Sequence, residues 1–136
     1  MAVQLNHTIV SVRDKDEAAT FFAEILGLPE PGTYGPFRVL ELANGVSLDF
    51  ADDHGPVVPR HYAFLVDDAD FDEIFGRIKQ RGLDYWADPS RQRSGEINHN
   101  DGGRGVYWED PNGHLLEIIT VPTAAAERTG LARKRA

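Results

Sequence analysis

The sequence predicts an α+β domain made of two copies of one strand–helix–hairpin unit, and three observations predict it. Leu5-Asn6-His7-Thr8-Ile9-Val10-Ser11-Val12-Arg13-Asp14 aligns without a gap on Pro59-Arg60-His61-Tyr62-Ala63-Phe64-Leu65-Val66-Asp67-Asp68, two strands that each open with a histidine. Asn44-Gly45-Val46-Ser47-Leu48-Asp49-Phe50 repeats as Asn112-Gly113-His114-Leu115-Leu116-Glu117-Ile118, a tight Asn-Gly turn feeding a strand with a carboxylate at the same offset. Between the members of each pair lies a stretch with apolar residues at helical spacing.

In chain order, residues 3–12 read as a buried strand, with Val3, Leu5, His7 and Ile9 on one face and Val10 and Val12 on the other. Asp14 is placed to cap a helix carrying Ala18, Phe21, Phe22, Ile25 and Leu26, with Gly27 as its stop. A Pro- and Gly-rich turn (Pro29 to Pro36) leads to a hairpin, Phe37–Leu42 and Val46–Phe50, around Ala43-Asn44-Gly45. Asp49 then shares a face with Ser47 and Ala51, opposite Val46, Leu48 and Phe50. Asp52 to Pro56 reads as the link between modules.

The second unit repeats the order: a strand from His61 to Val66, then a helix capped by Asp68 or Asp70, with Phe71, Ile74, Phe75 and Ile78 inward and its end at Gly82. A strand begins at Leu83–Trp86, and Val106–Trp108 with His114–Thr120 form the last hairpin, around Asp110-Pro111-Asn112-Gly113. The polar insertion from Asp88 to Gly103 has no counterpart in the first unit, and it is expected to border the site and to order when ligand binds. The 136 residues read as one domain, with a first module of about 3–52, a second of about 59–121 and a tail of 122–136, Ala-rich and basic, that is either a short helix or disordered.

A net charge of −8 and a pI near 5.0 exclude a nucleic-acid or anionic-membrane partner as an expectation, because phosphate neutralisation needs clustered Lys and Arg. The basic run Arg128 to Arg135 reads as a solvated tail. With no cysteine, disulfides, thiolate nucleophiles and Cys-held zinc are ruled out, so any metal must take nitrogen and oxygen ligands. No leader pattern or bilayer-length apolar stretch is present, and a soluble cytoplasmic protein is the expectation.

Two histidines and two carboxylates at equivalent positions of a duplicated unit, His7, His61, Asp49 and Glu117, suggest a metal site on the repeat axis. Imidazole and carboxylate suit a first-row divalent ion, and burying four such groups unpaired would be costly. The other histidines read differently. His114 faces away from Glu117 and is structural or exposed, His54 is solvated in a linker, and His99 in the long loop is either a nearby acid or base or a plain loop residue. Glu41 is either a further inward carboxylate or solvent-facing.

This duplicated order, closed by Asp-Pro-Asn-Gly-His-Leu-Leu-Glu, resembles the vicinal oxygen chelate superfamily over Leu5 to Val121, the group of glyoxalase I, extradiol dioxygenases, fosfomycin-resistance proteins and bleomycin-binding proteins. The resemblance implies two βαβββ modules curled into a cupped half-barrel around a divalent ion (iron, manganese, nickel or zinc), held by His7, His61 and Glu117. Asp49 falls where glyoxalase I carries a second glutamate and is a candidate fourth ligand, but its shorter arm favours a role through water or a hydrogen bond. His61-Tyr62-Ala63-Phe64 and Tyr107 through Glu117 look most like the fosfomycin-resistance group, in which the position of Tyr107 contacts substrate. That group's Lys- and Ser-rich cation loop is missing, replaced by Arg91, Arg93, His99 and Asp101.

The implied function is a metal-dependent enzyme of the glyoxalase or extradiol dioxygenase type acting on a small chelated substrate, with Tyr107 and His99 as catalytic candidates. The alternatives are a metal-free protein that sequesters a small molecule, like the bleomycin-binding members, and a fosfomycin-resistance-type transferase or hydrolase. Open sheet edges and a partly uncovered apolar face also predict a homodimer.

Overall fold

Each half of the chain folds as strand, helix and three strands, as a computed structural model describing residues 2–123 shows. In the first half these are β1 (His7–Val12), α1 (Lys15–Leu26), β2 (Gly32–Tyr34), β3 (Phe37–Glu41) and β4 (Ser47–Asp52). The second half has β5 (His61–Leu65), α2 (Asp68–Gln80), β6 (Tyr85–Trp86), β7 (Gly105–Glu109) and β8 (Leu115–Ile119). The two four-stranded sheets have the same order, β1-β4-β3-β2 and β5-β8-β7-β6, and neither closes on itself. The α+β class and the duplicated βαβββ order are therefore as the sequence predicts. The tail from residue 124 on lies outside the described residues.

The first module follows from its local chemistry. Asp14 takes the N–H groups of Asp16 and Glu17 at the head of α1, and Gly27 ends the helix at φ 74°, a conformation that a side chain disfavours. The helix buries Ala18, Ala19, Phe22, Ala23 and Ile25. Phe22 meets Phe50 of β4 edge to face with centroids 4.8 Å apart, so truncating either would cost about 3–5 kcal/mol. Val10, Val12, Leu40 and Leu48 complete this core on the helix-covered face. Arg38 also belongs to that face, where its guanidinium bonds Gly32 O, Pro31 O and Asp16.

In the second module Asp67, rather than Asp68 or Asp70, caps α2 by accepting the Asp70 N–H. Phe71, Ile74 and Ile78 are buried, and Phe75 stands edge to face on Tyr85 at 5.0 Å. Val106, Trp108, Leu116 and Ile118 form the rest of this core. Arg104 fastens the head of α2 to β7 by bonding Asp68 and Asp72 while its guanidinium lies over the Phe71 ring at 4.3 Å.

Three expectations are corrected. Residues 2–6 are not strand, and Val3 and Leu5 are exposed by 100% and 66%, while Ile9, 53% exposed, lies on the face that no helix of its module covers. The apolar alternation was real, but it marks the open face of the sheet rather than the buried one. Within the Pro- and Gly-rich turn the short strand β2 forms against β3. The insertion after Asp88 carries structure of its own: Trp86 bridges Ser94, Asn98 bridges Gly105, and the buried Asn98 side chain donates to Ala87 O.

The backbone groups into two compact units, one running to His61 and including Glu109–Leu115, the other comprising Tyr62–Trp108 and the chain from Leu116. The Asp-Pro-Asn-Gly-His turn thus groups with the first unit. Its bonds explain why. Arg13 N–H donates to Asn112 Oδ1, the Arg13 guanidinium to Pro111 O, and His114 Nε2 to Ser11 O. No helix among the described residues is long and apolar enough to cross a membrane.

Candidate metal and substrate site

The repeat places its histidines and carboxylates in the same backbone frame. Ser47 N–H donates to Asn6 O and Leu115 N–H to Arg60 O, so His7 pairs with Ser47 as His61 pairs with Leu115. Asp49 and Glu117 each stand one alternation further along their strands. The Asn-Gly turns that set this frame have nearly the same geometry, with Gly45 at φ 84° and Gly113 at φ 87°.

On the first module's open face, registered neighbours form rows. His7, Ser47 and Glu41 make one row, and Ile9, Asp49, Val39 and Gly32 the next. Asp49 is only 9% exposed, although its face carries no helix, and it accepts one hydrogen bond, from Ser47 Oγ at 3.1 Å. His7, Glu41 and Asp49 all line a hollow of about 710 Å³, whose walls include Leu28, Val39 and Tyr34. Glu41, left open by the sequence, is exposed and faces this hollow.

Each candidate histidine is oriented through Nδ1. That of His7 lies 2.7 Å from Asn6 Oδ1 and that of His61 2.9 Å from Leu115 O. An amide oxygen accepts, so Nδ1 is the donor in each contact, and Nε2 is the ring nitrogen that a metal would take. Histidines that hold metals are oriented in this way.

On the second module, Thr120 N–H donates to Arg104 O. Counting inward from that bond sets Tyr107 opposite Glu117 on β8, while Trp86 pairs Tyr107 from the other side. Tyr107 is buried, Glu117 half-buried, and the Arg91 guanidinium lies 5.7 Å from the Trp86 ring centre. The insertion borders the face that carries Tyr107, and it is held by bonds of its own. Asp88 organises it, accepting Arg93 N–H at 2.7 Å and Gln92 N–H at 3.1 Å. The Arg93 bond foremost, with those of Gln92 and Asp88's own N–H and the Arg93 charge, outweighs desolvation and lowers the Asp88 pKa. His99 is exposed at the head of a 3-10 turn, Asn100–Gly102, and makes no capping bond.

Among the described residues no three His, Asp or Glu side chains of one chain form a group able to hold a metal ion. His114 is not a candidate ligand. It is fully buried, with Nδ1 accepting Arg60 N–H and Nε2 donating to Ser11 O, both at 2.9 Å. Sequence reasoning left it structural or exposed; its bonds to residues far away in sequence decide for structural.

Known proteins share this architecture. Among solved structures, the oxidase ChaP-H1 is 64% identical with a TM-score of 0.88, covering 89% of this chain and 98% of its own. The oxidase ChaP-H2 is 62% identical with the same TM-score, covering 91% and 98%. The glutathione transferase FosA of Serratia marcescens is 31% identical over 92% of this chain and 86% of its own. Residues 4–118, nearly the whole duplicated unit, match the Glyoxalase/Bleomycin resistance protein/Dioxygenase superfamily, and the chain belongs to that family.

Proposed function

We propose that the protein is a metal-dependent oxidase that binds a small oxygenated substrate at a divalent ion held by His7, His61 and Glu117. One observation carries the reading: both histidines, at equivalent positions of the repeat, are anchored by an oxygen at Nδ1, the arrangement in which Nε2 would take the metal. Two such imidazoles and a carboxylate fit iron, manganese, nickel or zinc in the divalent state. When bound, the ion supplies Lewis acidity and open positions for substrate oxygens. The choice of oxidation over isomerisation rests on the two oxidases that are 64% and 62% identical.

In this proposal the chain's own groups share the work. Asn6 and Leu115 fix the two imidazole rings. Tyr107, across the hairpin from Glu117, offers a hydroxyl to a substrate oxygen, and its burial keeps that contact dry. Asp49 accepts a hydrogen bond from a water or from substrate, and the exposed His99 is the candidate acid or base of the insertion. We further propose that the site is completed in a homodimer, combining His7 of one chain with His61 and Glu117 of the partner subunit.

Titration calorimetry with manganese(II) tests the ligand set. Glu117→Gln is expected to abolish tight binding, whereas Asp49→Asn weakens it about tenfold to a hundredfold. Equal loss in both variants moves Asp49 to direct ligation. Wild-type protein that binds no stoichiometric metal sinks the proposal and leaves the sequestering role.

A further inference from the structure

The hollow of the first module has a charge pattern that selects its occupant. Its walls carry three carboxylates, Glu30, Glu41 and Asp49, together with His7, but no lysine or arginine. The module's cations are committed elsewhere. Arg38 is turned through the sheet to Asp16 and Gly32 O, Lys15 bonds Pro36 O, and Arg13 bonds Pro111 O. An anion entering the hollow would meet like charges with no counter-charge on its walls, and the net charge of −8 opposes its approach. A hydroxyl or amine, by contrast, would find acceptors in Asp49 and Glu41, each able to take more hydrogen bonds than it now receives. Apolar area is also present: Leu28, Pro29 and Val39 line the floor, and Tyr34, 74% exposed, offers a ring face at the rim. The volume of about 710 Å³ is that of a small-molecule site.

We propose that this hollow binds an uncharged, apolar-bodied, hydroxyl-bearing part of the substrate and rejects carboxylates and phosphonates, with Glu41 as the residue that sets the selectivity. The proposal builds on the oxidase reading by naming the class of compound that reaches the metal. It separates this chain from any role that requires an anionic group to sit against the first module.

The test uses two compounds with one ring body, 1-naphthol and 1-naphthoate, titrated calorimetrically into the full-length protein as purified and after chelation with EDTA. Naphthol is expected to bind at least tenfold more tightly than naphthoate in the chelated protein, where metal coordination by the carboxylate plays no part. Glu41→Gln should narrow that ratio at least threefold, and Glu41→Arg should reverse it. Both substitutions fall on an exposed side chain, and circular dichroism confirms folding before titration. Equal affinity for the two compounds in the wild type, or a ratio unmoved by Glu41→Arg, overturns the proposal. Failure of the metal reading shows separately, as absence of bound metal in the untreated protein, and leaves the chelated result to stand or fall alone.

Discussion

His114 and Asp49 show at the scale of single residues how similar chemistry serves different ends. His114 uses both ring nitrogens on backbone groups, Arg60 N–H and Ser11 O, and is fully buried. Replacing it by leucine would strand a buried donor and a buried acceptor, at a cost of about 2–4 kcal/mol. Urea unfolding should record that loss, and a variant as stable as wild type would show that the two bonds contribute nothing. Asp49 is almost as buried, yet it accepts a single hydrogen bond from its own strand. A carboxylate with spare acceptor capacity beside a hollow is set up for a ligand, whereas a saturated imidazole inside the core is set up for rigidity.

At the scale of elements, the two hairpins turn on the same Asn-Gly geometry and deliver their carboxylates in the same register, so symmetry comes from turns as much as from strands. The insertion after β6 breaks that symmetry, and its stability depends on one side chain. Asp88 accepts the N–H groups of Arg93 and Gln92, bonds that favour its ionised form and hold its pKa below the ordinary aspartate value. A lowered folded pKa stabilises the loop above the unfolded pKa, and the contribution is lost as pH falls through the folded one. Hydrogen exchange should therefore find the Gln92 and Arg93 amides protected at about pH 5 and specifically deprotected at about pH 2, relative to the α2 amides. Protection in Asp88→Asn equal to wild type at both pH values would disprove the dependence on charge.

For the whole molecule, the uncovered apolar side chains point to self-association. Ile9 shares the open face with His7, Val3 and Leu5 are exposed just before it in the chain, and Leu65 lies on the exposed side of the strand that begins at His61. Isolated exposed apolar residues are common, but here Ile9 and Leu65 each sit on a strand that opens with a proposed ligand, His7 or His61. Light scattering at micromolar concentration is expected to give twice the chain mass of 15.1 kDa, and Ile9→Lys to shift the protein toward monomer with loss of bound metal. A wild-type monomer that still binds metal stoichiometrically would refute the shared site.

The duplicated plan was legible in the sequence because it rests on local signals: the aligned His-bearing strands, the Asn-Gly turns, and the Asp14 cap with its Gly27 stop. Alternation also assigned Asp49 its face correctly, since side-chain direction along a strand follows parity alone. Parity does not say which face a helix covers. Only packing decided that Val10 and Val12 go under α1 while Val3, Leu5 and Ile9 stay outside. The anchoring of His61 by Leu115, the fastening of the last turn to Ser11 and Arg13, and the Asp88 framework likewise needed the fold. The first two join groups 54 to 103 residues apart in the chain, beyond the reach of local patterns. The charge of the hollow belongs with them, because the arginine and lysine residues near it in sequence are turned away only by bonds formed across the folded module.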